Sequence, residues 1–271
     1  MGWAIRTTLA LLVLALLASS WSAQGLADAQ VVAEVGLDHV VVRVELTGLN
    51  SSLFEVLVAH PEALNESTIP DAMAKAAGEG VFYLDPSLSF DNATRSLRAS
   101  FTLAGSGLLS FSFNRTNVAR IYKLRTSWRK TDVEIHLNET WAIKLNFSSF
   151  FRKPLARWEH LDRYELGPGD VREALLLNTT VEDALFENAT GRTTWVFVLP
   201  RGARFLRAVR EGAEELLMFE MPPDPWDMFA ASPFWPFLMV IVAVGIAVAY
   251  RRTSVRLVKP SEEAAGEEEE S

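Results

Sequence analysis

Two apolar blocks, Leu9–Ala18 and Phe234–Tyr250, remove both ends of this 271-residue chain from any water-soluble core. About 200 residues remain between them, enough for one or two domains. The first block follows Arg6 and runs into small residues ending in Ala27-Asp28-Ala29, an A-x-A pattern that predicts a secretory signal peptide over residues 1–29. Its apolar run of about ten residues is too short to cross roughly 30 Å of hydrocarbon. Ala23-Gln24-Gly25 offers a second cut. The second block, extended back to Phe229, contains no charged residue and predicts one transmembrane helix over 233–250. Trp226, Phe234 and Trp235 supply interfacial aromatics on one side and Tyr250 on the other.

Arg251, Arg252, Arg256 and Lys259 follow at once, and the positive-inside rule keeps them cytoplasmic. The expected localisation is therefore the cell membrane, single-pass, with residues 30–221 outside and the C-terminus cytoplasmic. Residues 222–232 hold Pro222, Pro223 and Pro225 and predict a stiff, extended juxtamembrane spacer. Residues 251–271 form a basic-then-acidic tail, ending in Glu267–Glu270, that buries too little apolar surface to fold. Ala243 with Ala247 and Gly245 with Ala249 place small residues on one helix face, which permits a homodimer through the membrane helix.

Asparagine carries the strongest internal signal. Eight of the nine asparagines stand in N-x-S/T: Asn50, Asn65, Asn92, Asn114, Asn138, Asn146, Asn178 and Asn188. Only Asn117 does not. Chance would place about one of them there, so the sequons are expected to be N-glycan acceptors. This supports export independently of the two apolar blocks.

Glutamine is nearly absent, with Gln24 and Gln30 alone, and there is no cysteine. Depletion of thermolabile side chains is the bias of proteins that last at high temperature. A eukaryotic ectodomain of this size would usually carry disulfides. An archaeal, thermophilic cell surface is the expected setting. The missing thiols also exclude a cysteine nucleophile, thiolate zinc sites and iron-sulfur clusters.

Between the apolar blocks the pattern is that of strands. Val40–Leu46 alternates apolar residues with Arg43 and Glu45, the period of a half-buried strand. Short runs of similar character follow at 53–59, 81–84, 97–103, 108–113, 118–124, 133–137, 141–147, 194–199 and 216–219. Leu137-Asn138-Glu139-Thr140 and Gly105-Ser106-Gly107 read as hairpin connections. Helices are expected only at 70–77 and 154–164. The fold class is thus mainly β, an antiparallel β-sandwich-like ectodomain of one or two lobes with few short helices, plus the C-terminal transmembrane helix. Pro154, Gly167, Pro168 and Gly169 mark a candidate lobe boundary at 150–172.

No phosphate-binding loop, dinucleotide fingerprint, nucleophile elbow or zincin motif is present. His39, His60, His136 and His160 stand singly, as structural histidines do. Glu159-His160-Leu161-Asp162-Arg163-Tyr164-Glu165 is the densest cluster, and on a helix Glu159 would face Asp162 and Arg163. It reads as a charged helix face rather than a metal site. Trp141 and Trp195 lie in apolar strand patterns and are expected in the core. Trp128 sits in the basic stretch 123–130, which with Arg115 and Arg120 could meet an anionic partner. Nucleic acid is excluded as a partner, because residues 30–231 carry a net charge of −6 and no polybasic run.

No catalytic residue, metal site or cofactor is expected. The leading expectation is a non-enzymatic, N-glycosylated, single-pass cell-surface protein making envelope or protein-protein contacts. The alternative is an extracellular ligand-binding or accessory subunit of a membrane transporter or enzyme complex, whose sign would be a pocket lined by Trp128 or Trp158. A hydrolase assembled from distant Asp, Glu and His is a third reading.

Overall fold

Val40, Val42, Val44 and Leu46 turn one way along β2 (His39–Thr47) and are buried, while Arg43 lies exposed on the other side. The same alternation buries Ala29, Val31, Ala33 and Val35 on β1 (Asp28–Val35). A strand puts successive side chains on opposite faces, so such segments bury one face of a sheet. A computed structural model describes residues 28–114, 119–137, 142–145, 147–150, 153–181, 191–232 and 235–257. The chain divides into two units, Met1–Phe113 with Arg120–Pro222, and Asn114–Ala119 with Pro223–Ser271.

The first unit is mainly β. Its largest sheet has seven strands, ordered β3 (Phe82–Asp91), β4 (Ser96–Ala104), β2, β1, β11 (Gly191–Val198), β10 (Asp170–Val181) and β9 (Glu159–Gly167). Neighbours are antiparallel except β1 and β11, which pair in parallel from Ala29 opposite Thr193 to Glu34 opposite Val198. A four-stranded sheet follows the order β12 (Arg204–Glu211), β13 (Glu214–Met221), β6 (Ala119–Arg125) and β5 (Leu109–Asn114). β7 (Val133–His136) and β8 (Ala142–Leu145) form a two-stranded ribbon. Two helices, α1 (Ser51–Ala59) and α2 (Thr68–Ala77), add to one core cluster drawn from all three sheets. This arrangement is consistent with a β-sandwich-like fold.

Strands from both sides of 150–172 share the seven-stranded sheet, since β1 and β2 pair into it beside β9, β10 and β11. The small sheet packs on the large one through the shared core. β5 and β12 both start from connections at the same end of the large sheet, after β4 and β11, yet they enter the small sheet at opposite edges: Leu108 accepts from Arg125 at one, and Arg204 pairs with Glu220 at the other.

Several expectations are corrected. Residues 53–59 are helical: Asn50 caps α1 by accepting from the Leu53 N–H at 2.9 Å, and Phe54 and Leu57 are buried at helical spacing. Residues 154–164 are a short 3-10 turn, Leu155–Arg157, followed by β9. The backbone of β9 pairs with β10, which covers that flank of a strand carrying the buried run Ala174–Leu175. Gly105-Ser106-Gly107 joins strands of different sheets rather than a hairpin; Gly105 has φ +129°, and a Cβ there would collide with the Gly80 carbonyl. The strands β1, β9, β10 and β12 have no counterpart among the expected runs. Helix α2 confirms the expectation at 70–77.

The first unit also holds α3, the single turn Phe147–Phe150. In the second unit, α4 (Pro225–Ala231) replaces much of the expected extended spacer. Asp224 and Asp227 cap it reciprocally: the Asp227 N–H donates to Asp224 Oδ1 at 2.7 Å, and the Asp224 N–H to Asp227 Oδ2 at 3.2 Å. Pro225 then occupies the first helical position, where its missing N–H costs least. α5 (Trp235–Leu257) is helical over most of 233–250 and runs seven residues beyond it. Among the described residues no helix is long and apolar enough to cross a membrane; side chains of α5 are described from Trp235 to Arg251.

The heart of the first unit is the 3-10 turn Ser127–Lys130. Trp128 is fully buried, its ring 5.5 Å from Trp195 and 5.8 Å from Phe197, and its indole N–H donates to the Arg125 carbonyl at 2.8 Å. Arg129 is also fully buried, pairs with Glu215 on β13, and lies 5.4 Å from the Trp158 ring. Burial pulls the Arg129 guanidinium below its ordinary value against the opposing effect of Glu215. At Glu215 burial acts upward, but Arg129 and Lys130 outweigh it and lower the carboxyl. Removing one partner of such a pair leaves a buried charge uncompensated. Glu215→Leu should therefore destabilise the fold by about 3–5 kcal/mol, whereas Arg129→Met with Glu215→Leu should recover most of the loss. Chemical unfolding of the three chains checks this, and equal losses in the single and double variants would contradict it.

Candidate functional site

The sequons are the first candidates for chemistry. Asn50, Asn65, Asn92 and Asn178 are all exposed. Asn50 Oδ1 accepts from the Ser52 hydroxyl of its own sequon at 2.7 Å, as well as from Leu53. Asn65 Oδ1 accepts from the Ser67 N–H at 2.9 Å and from the Thr68 hydroxyl at 3.2 Å. In both, local turn bonds occupy the oxygen and fix the side chain at the surface. Asn92 stands in the β3–β4 turn, where Asp91 accepts from the Ala93 N–H and the Thr94 hydroxyl, each at 2.9 Å. These bonds, the hydroxyl first, hold the Asp91 carboxyl below its ordinary value. Asn178 lies on β10 opposite Thr194. The side chain of Asn114 and all of Asn138, Asn146 and Asn188 lie outside the described residues.

These positions are unevenly distributed. β2 ends, β3 turns into β4, β10 ends and β11 begins at one end of the seven-stranded sheet. That end carries Asn50 and Asn92, with Asn178 close by, and the β10–β11 connection contains Asn188 in sequence. At the other end lie the connections 36–38, 105–108, 168–169 and 199–203 and the entry to β3, and none of them contains a sequon. Leu37 and Phe82 are exposed there, with Leu84 nearby on β3. A groove of about 550 Å³ lies between α2 and β3, lined by Asp71, Lys75, Glu79, Val81, Phe82 and Tyr83 among others. Lys75 donates to Asp71 at 2.6 Å, and that bond and charge raise its ammonium above the usual value.

The same end carries a ladder of charges. Arg172 donates to Asp170 at 2.7 Å and to Glu34 at 2.9 Å; Arg201 also reaches Asp170 at 3.1 Å, and Arg43 reaches Glu34 at 3.3 Å. The ladder uses residues of β1, β2 and β10 on the face where Ala174, Val196 and Val198 form a second, smaller apolar cluster.

The residues of 159–165 do not come together as a helix face. β9 is an edge strand with an irregular register against β10, in which Arg172 opposes Tyr164 and Ala174 opposes Leu161. His160 Nε2 stands 3.1 Å from Glu173, and its ring packs at 4.9 Å on Phe205; Glu173 also accepts the Phe205 N–H at 2.7 Å. These contacts tie three strands together. His39 meets Asp38, His60 Nδ1 meets the Val56 carbonyl, and His136 lies 3.7 Å from Glu134. The four histidines are mutually separate.

The basic stretch 123–130 is paired within the fold: Lys123 with Glu211, Arg125 with Glu214, and Arg129 and Lys130 both with Glu215. It is a structural tie rather than a free cationic surface. Trp128, Trp158 and Trp195 are all buried in the core. Trp141 and Arg115 lie outside the described residues. Sequence patterns missed Glu173, which meets His160 and Phe205, and Asp170 with Arg201, which the folding of the chain brings together from distant positions. Comparison with protein-family models, curated proteins and solved structures finds no match.

Asp170 is held down to about 2, first by its hydrogen bond from Arg172 and then by that from Arg201. A carboxyl depressed in the fold stabilises it fully above its unfolded value of 3.8, and that contribution disappears as pH falls through about 2. Asp170→Asn should lower the melting temperature by a constant amount from neutral pH to about 5, and the gap should close between about pH 4 and 2. Melting curves across this range check it; a gap unchanged at pH 2 would refute the role given to this carboxylate.

Proposed function

We propose that the chain is a non-enzymatic, N-glycosylated, single-pass cell-surface protein of a thermophilic archaeon, whose β-rich domain makes envelope or protein-protein contacts outside the cell. The observation that carries this is the segregation of glycan acceptors. The described acceptors are exposed, and those on the large sheet cluster at one end, whereas Leu37, Phe82 and the α2–β3 groove lie at the end whose own strand connections hold no sequon. Large hydrated glycans exclude a close interface, so contacts belong to the end without them.

Support for the span comes from α5. Its large apolar side chains from Phe237 to Val248 are exposed. A soluble surface rarely leaves so large an apolar patch open. The uncharged run begins before the helix, at Phe229, and Arg251 and Arg252 follow Tyr250, as at a cytoplasmic interface. Hydrocarbon around the helix would satisfy this surface.

Secretion would remove an N-terminal leader. Asp28 and Ala29 belong to β1: Asp28 Oδ1 accepts from the Arg192 N–H at 3.1 Å, and Ala29 is buried. A cut after Ala29 would strip both from the sheet. The expected mature chain therefore begins upstream of Asp28, at the Ala23-Gln24-Gly25 site, and N-terminal peptide mass spectrometry should find that start; a chain beginning at Gln30 would overturn this choice.

Cross-linking mass spectrometry on native membranes tests the function itself. Lys75, beside the groove and 76 % exposed in its side chain, should link to an abundant envelope protein. Links confined to one permease or membrane enzyme would replace the proposal with an accessory-subunit role.

A further inference from the structure

A sequon is defined by a hydroxyl two residues beyond its asparagine, so the enzyme that reads it must reach three consecutive residues rather than the amide alone. At three sequons the middle residue is exposed: Ser51 after Asn50, Glu66 after Asn65 and Ala93 after Asn92. Asn146-Phe147-Ser148 is built differently. Ile143 and Leu145 of β8 are buried, and Phe147, two residues on, is fully buried with its ring edge-on to Trp195 at 6.4 Å. Ser148 is tied down as well. Its N–H donates to Asp132 Oδ1 at 2.8 Å and its hydroxyl to Asp132 Oδ2 at 2.9 Å, while Lys144 holds the same carboxylate at 3.1 Å. Burial acts upward on Asp132, but the bonds from Ser148 and Lys144 outweigh it and keep the carboxyl below its ordinary value. The Ser52 and Thr94 hydroxyls also bond within their own turns, but both stand on exposed residues, where a side-chain rotation frees them.

We propose that Asn146 accepts a glycan only before the domain folds, because folding withdraws the middle residue and the hydroxyl of its sequon together. Asn65 and Asn92 accept in either state. The proposal rests on the N-glycosylation reading above and adds an order of events to it: occupancy of Asn146 records whether the transferase or the core reached Phe147 first. In the folded chain the Phe147 ring must leave the aromatic cluster before the sequon can enter an active site. Burial of a phenyl side chain alone holds such an open form to about one-tenth of the molecules or fewer.

The test uses full-length chain produced without glycans, purified in detergent and given a solubilised oligosaccharyltransferase with a lipid-linked oligosaccharide. Glycopeptide mass spectrometry reads each site over time, and circular dichroism reports which chains are folded. In the folded chain Asn146 should be modified about tenfold or more slowly than Asn92. Full-length Trp195→Asp puts a carboxylate into the centre of the core and keeps the chain unfolded, and there the two sites should be modified at similar rates. Phe147→Ser keeps the N-x-S pattern while removing the anchor, and should speed transfer to Asn146 in folded chain. If that variant does not fold, the comparison of the unchanged chain with Trp195→Asp decides alone. Asn146 modified as fast as Asn92 in the folded chain would overturn the proposal. So would an Asn146 that stays bare in Trp195→Asp, which would make it a poor acceptor in every state. Asn65 and Asn92 bare in both chains would instead overturn the N-glycosylation reading, and the proposal with it.

Discussion

Arg129 is surrounded by protein on every side, and a guanidinium cannot shed its charge to escape that environment. The fold must therefore bring a carboxylate to it, and Glu215 comes from a strand 86 residues away in sequence. This requirement organises the first unit. The same short turn sends Trp128 into the aromatic cluster of the large sheet, while Thr126 donates its hydroxyl to the Glu215 carbonyl at 2.7 Å and Ser127 bonds the Ala76 carbonyl at the end of α2. Four adjoining residues thus fix the small sheet, the large sheet and a helix to one another. Two apolar residues of similar volume could supply as much stability. They would not define so narrowly which strand must lie beside the turn, and we regard register selection as the reason an ion pair occupies the core.

Without disulfides, the covalent chain does little to limit how far its two halves can separate. The parallel pairing of β1 with β11 imposes that limit instead, joining residues 29–34 to 193–198 through backbone bonds in the middle of the sheet. Parallel neighbours require a long crossover, and here the crossover contains most of the fold. Trp195 and Phe197 of β11 pack on Trp128, so the long-range strand pair and the central turn support each other. A core closed from both chain halves in this way does not depend on oxidising conditions.

Most strands are legible in the sequence because half-buried strands alternate and this chain punctuates them with glycine. β2, β4 and β6 follow that rule. The misses share a cause in tertiary context. Leu53–Ala59 has the apolar, β-branched content of a strand, but Asn50 caps it and the core accepts it at helical spacing. Glu159–Glu165 has a helix-like charge pattern, yet the sheet needs an edge strand there. β1 is obscured because its first residues also match a cleavage pattern. Sheet order, the parallel pair and the Asp170 ladder cannot be read from local pattern at all, since strand pairing alone brings those residues together.

Surface features follow the same logic as the core. An edge strand is tolerable when something covers it or when charge repels other strands, and three edges of the two larger sheets use charge, proline or irregular register. β5 uses none. Trp128, Trp158 and Trp195 are all buried, and each basic residue of the stretch beside them meets a carboxylate, Glu215 serving two. Sequons at one end of the large sheet and at the end of β5 thus set two parts of the surface apart from the other end of the large sheet, whose own strand connections hold none.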